Sequence, residues 1–256
     1  MTSDISSATE DARRRVAERT WYHTIEVEPG LVTDGWFDLR SHVAHYHLPE
    51  RMDGMRALDI GTWDGFWAFE MERRGADVVA LDVEHESEYD WPPRRRPAEF
   101  ADLRRGDGFR LLKEIKGSSV ERVHCNIYDA LPERLGTFDV VFCGAVLLHL
   151  RDQMLALERF ANLCHGQFIF ADEYDRPSGL IPFPVSRYHA DRDAAVVFWL
   201  PARKTWKRML WTAGFDDVEE KSRFTVKIAS AAGKTRSIPH VVLHGRGRAP
   251  KTPPAQ

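Results

Sequence analysis

A short strand followed by a glycine turn and a helix constrains this chain of 256 residues more than any other feature. The predicted strand Arg56–Ile60 leads into a turn that contains Gly61 and Gly65, and the amphipathic run after it ends at Gly75. Glycines allow a backbone to turn tightly and to approach a ligand closely. Open α/β sheets bind their ligands at the carboxyl ends of their strands. The turn therefore predicts an α/β domain with a ligand at the end of its first strand.

Beyond this turn, short apolar runs alternate with longer amphipathic ones, which is typical of a parallel sheet with crossover helices. The further predicted strands are Val78–Leu81, Val120–Cys125, Phe138–Cys143 and Phe168–Ala171. Helices are predicted at Arg151–Leu163 and at Trp206–Ala213, the second closed by Gly214. The last apolar runs are joined by turns and predict a terminal antiparallel hairpin over Val218–Glu220, Phe224–Ile228 and His240–Leu243.

The chain is expected to divide into three segments. Residues 1–48 form a leader that is rich in aromatics between Trp21 and Asp38, and this leader either closes over the ligand as a lid or fastens itself to the core. Residues 49–245 form the domain. Residues 246–256 contain proline, glycine and basic residues without an apolar anchor, so a disordered tail is predicted there.

Composition limits the partners and the compartment. The formal net charge is −3, so no global basic field exists to hold nucleic-acid phosphates, although a local patch still can. No stretch resembles a signal peptide, and no apolar run is long enough to cross a bilayer. We therefore expect a cytoplasmic protein without a membrane partner, either a monomer or a homodimer.

The spacing of cysteines and histidines predicts neither disulfides nor a metal site. Cys125, Cys143 and Cys164 have no paired spacing and are expected to be reduced thiols. The histidine cluster within His42–His47 lacks the spaced partners of a tetrahedral site. No metal is predicted.

Two carboxylates near the turn indicate the kind of ligand. Asp82 ends the second strand, about 20 residues after the glycines, where a carboxylate can accept hydrogen bonds from both ribose hydroxyls of an adenosine. The glycine pattern lacks the third, helix-packing glycine of a dinucleotide site. Asp59 would repel a diphosphate but can orient the amino group of a methionine moiety. These features favour a sulfonium cofactor over NAD, with capping of the turn and helix by Asp59 and Asp64 as the structural alternative.

The arrangement Asp59-x-Gly61 with Asp82 resembles the class I S-adenosylmethionine-dependent methyltransferases. The segments that resemble their bacterial tRNA wobble-uridine carboxymethyltransferase branch are Trp21–Glu26, Gly35–Asp38, Gly61–Glu70 and Phe138–Gly144. The resemblance extends from about Trp21 to Val218. It implies a Rossmann-like, seven-stranded, mostly parallel sheet, an adenine pocket after the third strand and an acceptor pocket above the fourth.

Together, the residues and the resemblance give S-adenosylmethionine as the cofactor. The predicted cofactor-binding residues are Asp59, Gly61, Trp63, Gly65, Asp82, Asn126, Ile127, Tyr128 and Gly144. The chain departs from the carboxymethyl-transferring members at Leu148, where they carry a tyrosine before the histidine. Leucine cannot hydrogen-bond a carboxylated cofactor, and the long amino-terminal extension of those enzymes is missing. Ordinary S-adenosylmethionine and a smaller acceptor are therefore expected.

Methyl transfer needs alignment of the acceptor and, where the acceptor carries a proton, a base. The candidate bases follow the fourth and fifth strands: His149, Asp172 and Glu173. The alternatives are that His149 bonds backbone at a helix entry and that the two carboxylates lie in a solvated turn. The candidate acceptor-binding residues are Trp21, Tyr22, His23, Tyr188 and His189.

The first functional hypothesis is methyl transfer to an O or N nucleophile of a small molecule, as in the tailoring of natural products. The second is methyl or carboxymethyl transfer to RNA such as the tRNA wobble uridine, suggested by the resemblance and by the arginines of Arg94–Arg96, Arg104 and Arg105. A cofactor-binding domain without catalysis is the third.

Overall fold

The computed structural model describes residues 2–94, 104–190, 197–229 and 235–253. Its strands are β1 (Trp21–His23), β2 (Glu26–Glu28), β3 (Leu31–Val32), β4 (Gly35–Phe37), β5 (Arg56–Ile60), β6 (Asp77–Asp82), β7 (Glu121–His124), β8 (Phe138–Gly144), β9 (Cys164–Glu173), β10 (Ser186–Tyr188), β11 (Trp199–Pro201), β12 (Asp216–Ala229) and β13 (Thr235–Arg246). Its α-helices are α1 (Thr2–Ala17), α2 (Phe66–Arg73), α3 (Asp107–Lys116), α4 (Pro132–Leu135), α5 (Gln153–Leu163) and α6 (Arg203–Thr212).

Seven strands form one sheet in the order β12-β13-β9-β8-β5-β6-β7. Strands β5 to β9 are parallel, whereas β13 runs antiparallel to both β9 and β12. This arrangement confirms the predicted Rossmann-like, mostly parallel sheet with a C-terminal antiparallel hairpin. The chain order reverses between β5 and β8, and the carboxyl ends of strands at such a reversal line the ligand crevice of open α/β sheets.

Helices cover both faces of the sheet and bury two apolar clusters. Helices α2 and α3 pack with the leader on the face that contains Ala57. Helices α5 and α6 pack on the opposite face, which contains Leu58. Successive side chains of a strand point to opposite faces, so these neighbours fall into different clusters. At the carboxyl edge of the sheet, buried carboxylates replace apolar side chains: Asp59, Asp64, Asp82 and Asp172.

The terminal hairpin is longer than the sequence indicates. The predicted runs Val218–Glu220 and Phe224–Ile228 belong to the single strand β12, whose pairing with β13 shifts register between Glu220 and Ser222. A register shift of this kind bends a strand and interrupts its apolar alternation. The interruption explains why the sequence suggested two strands.

The leader is fastened to the core. Trp21 is only 1% exposed, and its indole Nε1 donates a hydrogen bond of 2.8 Å to Val16 O. Ile25 and Val27 are buried in the same apolar cluster. Burying each side chain of this size stabilises a fold by about 1.5–3 kcal/mol. Trp21 is therefore an anchor of the leader, and its prediction as an acceptor-binding residue does not hold because its ring is enclosed.

The prediction of a disordered tail does not hold for residues 246–253. Gly247 N donates a hydrogen bond of 2.7 Å to Gly166 O, and Ala249 N donates one of 3.0 Å to Cys164 O. Thr137 N donates a further bond, of 2.9 Å, to Thr252 O. Backbone N–H and C=O groups make these bonds, and composition does not reveal where backbone groups find partners. Residues 254–256 lie outside the described residues.

Candidate active site

The glycine turn follows β5 at the carboxyl edge of the sheet. Gly61 and Gly65 have φ angles of +70° and +91°, in the left-handed region. A Cβ on Gly61 would lie 2.7 Å from Val146 Cγ2, and one on Gly65 would lie 2.4 Å from Phe69 Cε2. Both positions therefore require glycine for backbone conformation and for close packing.

Trp63 lies between the two glycines and is also left-handed, with a φ angle of +50°. This conformation costs a residue with a side chain roughly 1–2 kcal/mol. The Trp63 N–H donates a hydrogen bond of 2.8 Å to Asp82 Oδ2. Its ring centroid lies 4.8 Å from that of Tyr22 and 4.4 Å from the guanidinium carbon of Arg105. Contacts with three other segments of the chain thus hold the strained residue in place.

Asp82 is buried at the end of β6 and faces the turn. Its second oxygen, Oδ1, accepts a hydrogen bond of 2.8 Å from Val83 N. Burial raises the pKa of Asp82 above its usual range. The Tyr89 hydroxyl lies 3.5 Å from Oδ1 as well. Each carboxylate oxygen has two lone pairs, so Oδ2, which accepts from Trp63 N, keeps capacity for a hydroxyl donor. Asp82, Trp63 and Tyr89 line a cleft of about 300 Å³ that residues 104–108 border.

Asp59 lies in β5 next to the glycine turn, and one of its two carboxylate oxygens has no described hydrogen-bond partner. Its Oδ2 is buried and has no hydrogen-bond partner within the described residues. Burial, together with the charge of nearby Asp82, raises the pKa of Asp59 to about 7. A buried carboxylate lowers the stability of the fold when no cation is near it and becomes favourable beside a cation. The donor set therefore fits the predicted ammonium group of a methionine moiety.

The predicted adenine pocket forms a 3-10 turn next to the end of β7. Asn126 Oδ1 accepts a hydrogen bond of 3.0 Å from Tyr128 N, and Asn126 Nδ2 donates one of 3.3 Å to Glu88 O. The Tyr128 hydroxyl bonds Asp90. Both side chains thus shape the turn around the half-buried Ile127. Gly144 ends β8 farther along the same edge, where a Cβ would lie 2.8 Å from the Phe142 ring.

The turn after β8 brings His149 near Asp172, the penultimate residue of β9. His149 is half-buried, whereas Asp172 is 0% exposed. Asp172 accepts hydrogen bonds from Leu148 N at 3.2 Å and from Glu173 N at 2.7 Å. Burial raises the pKa of Asp172 well above its usual range. Because Asp172 is enclosed and its two oxygens already accept backbone N–H groups, the geometry favours a role in holding the turn that carries His149.

Glu173 points to the opposite face of the sheet from Asp172, because successive side chains of a strand alternate. It is half-buried and lies 3.4 Å from Arg236 Nη2. Burial raises its pKa, although Arg236 opposes the shift. The sequence suggested one pair of carboxylates at the crevice, and the structure separates them.

The predicted acceptor-binding residues fall on two walls. On the leader, Tyr22 is half-buried against Trp63, and His23 is buried with its pKa lowered by burial to about 3, so its imidazole is neutral. On the second wall, β10 and β11 form a two-stranded sheet in which the exposed Tyr188 ring lies 4.9 Å from the Trp199 ring. His189 extends this wall, and its backbone N–H donates a hydrogen bond of 2.9 Å to Phe198 O.

Sequence reasoning missed the principal contact of Asp64. It does not cap α2, which has Gly65 at its N-cap and no side-chain cap. Instead, Asp64 Oδ2 accepts the N–H groups of Tyr22 at 2.7 Å and His23 at 3.1 Å. Nothing in the local sequence signals a partner 42 residues away. Tyr89 at the cleft was missed for the same reason.

Two of the histidines in His42–His47 pack against the ring of Phe224. His42 and His45 each lie 5.2 Å from Phe224 between ring centroids. In the described parts of the chain, no group of three or more side chains could hold a metal ion. Within the same parts, no helix is long and apolar enough to span a membrane.

Comparison with known proteins identifies the family. A methyltransferase-domain family matches residues 36–220, which include the glycine turn, Asp82 and the β10–β11 wall. The chain belongs to the methyltransferases. Family membership confirms the predicted enzyme class, and S-adenosylmethionine is the cofactor that this class I fold uses.

Two curated relatives show how far the similarity to this methyltransferase reaches. A tRNA U34 carboxymethyltransferase of Desulforapulum autotrophicum is 26% identical over 64% of the chain and 45% of its own length. A ubiquinone biosynthesis O-methyltransferase of Vibrio parahaemolyticus is 27% identical over 55% of the chain and 58% of its own length. The chain thus spans about half the length of these relatives.

Among solved structures, the N-terminal domain of EvdMO1 with bound SAH aligns with a TM-score of 0.60 at 18% identity. The alignment covers 94% of this chain and 97% of that domain. At this level of identity the likeness extends to the fold. It agrees with the sheet order described above.

Replacing Asp82 with alanine is expected to weaken binding of S-adenosylhomocysteine by on the order of 1–3 kcal/mol, because charge-assisted hydrogen bonds to the ribose would be lost. Isothermal calorimetry measures this change directly. Asp77→Ala is the matched control, since Asp77 is an exposed carboxylate at the opposite end of the same strand. Equal affinities for Asp82→Ala and the unmodified protein would remove Asp82 from the cofactor site.

Proposed function

We propose that this methyltransferase transfers the methyl group of S-adenosylmethionine to an O or N nucleophile of a small molecule, as in natural-product tailoring. A wall fixed beside the candidate base carries this proposal. Phe198 N, just before β11, donates a hydrogen bond of 2.9 Å to Leu148 O, and Trp199 Nε1 donates one of 3.2 Å to Arg151 O. These bonds hold the β10–β11 wall against the turn of His149, and a wall at that place suits a small acceptor.

The charges around the crevice also support a small acceptor. Arg236 pairs with Glu173, Arg187 lies 2.9 Å from Asp175, and Arg105 pairs with the buried Glu86. Cations already paired with carboxylates contribute little to holding a phosphate backbone. Of the suggested arginine patch, Arg95 and Arg96 lie outside the described residues.

The residues fit the cofactor. S-adenosylmethionine, when bound, supplies a methyl group already activated by its sulfonium. Asp59 would hold the amino group, Asp82 the ribose, and the turn of Asn126 and Ile127 the adenine. The protein's remaining tasks are to align the acceptor, to exclude water and to take up a proton where the acceptor carries one.

Transfer to RNA is the second candidate, because a tRNA-modifying enzyme is among the relatives. The carboxymethyl form of that reaction is disfavoured by Leu148. Its side chain is buried and aliphatic, and its backbone N–H is already bonded to Asp172. It offers no donor to a carboxylated cofactor.

Transfer of labelled methyl groups tests the proposal. The protein is incubated with labelled S-adenosylmethionine and either purified cellular RNA or a low-molecular-weight metabolite extract, each with a nuclease control. We expect label in the metabolite pool, from which mass spectrometry identifies the product. Label confined to nuclease-sensitive material would replace the small-molecule assignment with the RNA candidate. Asp59→Asn and Asp82→Ala serve as controls for cofactor dependence.

Once an acceptor is known, single variants assign the base. His149→Ala is expected to lower kcat by about 100-fold or more if the imidazole accepts the proton. Asp172→Asn should keep most of the activity if Asp172 holds the turn, because an amide preserves one acceptor oxygen for Leu148 N. Glu173→Gln tests the remaining carboxylate. Unchanged kcat in His149→Ala and Glu173→Gln would leave alignment as the sole catalytic contribution.

A further inference from the structure

Asp64 joins two parts of the protein that are distant in sequence. Its carboxylate lies in the cofactor turn and lines the same cleft as Asp82. One oxygen, Oδ2, accepts both leader N–H groups, from Tyr22 and His23. Asp64 is only 6% exposed. The carboxylate is therefore the polar tie between the turn and β1.

The tie acts next to the strained residue of the turn. Trp63 directly precedes Asp64, donates its N–H to Asp82 and stacks its ring against Tyr22. Two consecutive residues thus link the ribose-binding carboxylate to the leader. Fixing the turn fixes the position of Tyr22, and fixing Tyr22 restrains Trp63. Two sites connected in this way influence each other reciprocally.

We propose that Asp64 is a positioning residue that couples cofactor binding to the docking of β1 over the crevice. This inference rests on the proposed function, because it takes the glycine turn to be the cofactor site. A cofactor that fixes the conformation of the glycine turn also fixes the position of β1, which forms the leader wall of the acceptor pocket. Loss of the Asp64 tie would uncouple the two while each remains folded.

The leader has other anchors, so a change at Asp64 leaves it attached. Trp21 is enclosed and bonded to Val16. Thr33 Oγ1 accepts a hydrogen bond of 2.7 Å from Ile25 N and donates one of 2.7 Å to His23 O. These contacts do not involve the cofactor turn. A variant of Asp64 should consequently fold and retain the leader on the domain.

The test uses three variants of the full chain and S-adenosylhomocysteine as the probe. Asp64→Ala removes the acceptor, whereas Asp64→Asn keeps one carbonyl oxygen that can receive both N–H groups. Asp38→Ala is the matched control, because within the described residues the hydrogen bonds of that leader carboxylate go to Arg40. Calorimetry gives the dissociation constant, and hydrogen exchange follows the amides of Tyr22 and His23 with and without the probe.

In the unmodified protein, the probe should slow exchange of both amides. In Asp64→Ala, exchange should be fast and insensitive to the probe, and the dissociation constant should rise by about tenfold, within the usual range of coupling between sites. Asp64→Asn should restore most of both effects, and Asp38→Ala should change neither. Asp64→Ala with normal affinity and normal probe-dependent protection would overturn the coupling. Failure of the unmodified protein to bind the probe would instead refute the cofactor site itself.

Discussion

Replacing Asp59 with asparagine is expected to weaken binding of S-adenosylmethionine by about 10- to 100-fold, because a charge-assisted bond to the amino group contributes about 1.5–3 kcal/mol. The same substitution is expected to raise the thermal midpoint of the cofactor-free protein at pH 8. The two effects have one cause. The buried carboxylate is unfavourable without a cation and favourable with one.

The stability effect depends on pH in a defined direction. The pKa of Asp59 is raised from 3.8 to about 7 in the folded protein. Between these values the folded protein keeps a proton on Asp59 that the unfolded chain has released. The contribution of this proton to the free energy of unfolding is therefore fully present below about pH 4 and is lost as pH rises through 7. A shift of this size corresponds to on the order of 4 kcal/mol. Asp59→Asn removes this dependence.

Thermal unfolding of both proteins from pH 5 to pH 8 measures the difference. Asp139→Asn is the control, since hydrogen bonds from Arg56 N and His165 lower the pKa of Asp139 more than burial raises it, so its carboxylate contributes equally to stability from pH 5 to pH 8. We expect the gap between Asp59→Asn and the unmodified protein to widen with pH. A constant gap across this range would show that Asp59 does not titrate there.

Replacing Gly35 with alanine is expected to destabilise the protein by about 3 kcal/mol or more, because the new methyl group overlaps fixed backbone atoms. A Cβ at Gly35 would lie 2.1 Å from the carbonyl carbon of His23 and 2.4 Å from Thr24 N. No side-chain rotation relieves such contacts. The pairing of β1 with β4 must then open, and Tyr22 would leave the cofactor turn.

Urea unfolding measures this loss as a lower midpoint at an unchanged slope. Gly179→Ala is the matched control, because a Cβ there meets nothing within 4 Å. It should unfold like the unmodified protein. If Gly35→Ala were equally stable, the β1–β4 pairing would not be part of the stable fold, and the leader would be free to act as a mobile lid.

The sequence indicated the sheet and the position of the glycine turn correctly because both depend on local patterns. Strands β5, β6 and β8 are short apolar runs, and the turn needs glycines at Gly61 and Gly65 wherever the rest of the chain goes. The carboxyl ends of parallel strands meet at one edge, so the ends of β5 and β6 had to be neighbours. Asp59 and Asp82 could therefore be placed together without coordinates.

Other features depend on contacts that no local pattern encodes. The tail is held by backbone hydrogen bonds to Cys164 and Gly166. Asp172 and Glu173 are adjacent in sequence, yet the alternation of β9 sends them to opposite faces. Only the packing of neighbouring elements decides that Asp172 is completely enclosed while Glu173 meets Arg236.

The amino-acid sequence by itself thus determined the class of fold, the glycine turn and the carboxylates Asp59 and Asp82 beside it, because strand periodicity and turn chemistry are local properties. The tertiary structure decided how the crevice is closed. Asp64 bonds the leader, and Tyr22 contacts Trp63, across about 40 residues of sequence. Trp21 is buried by side chains that come from several elements. Such contacts depend on the three-dimensional path of the chain, which the spacing of residue types does not specify.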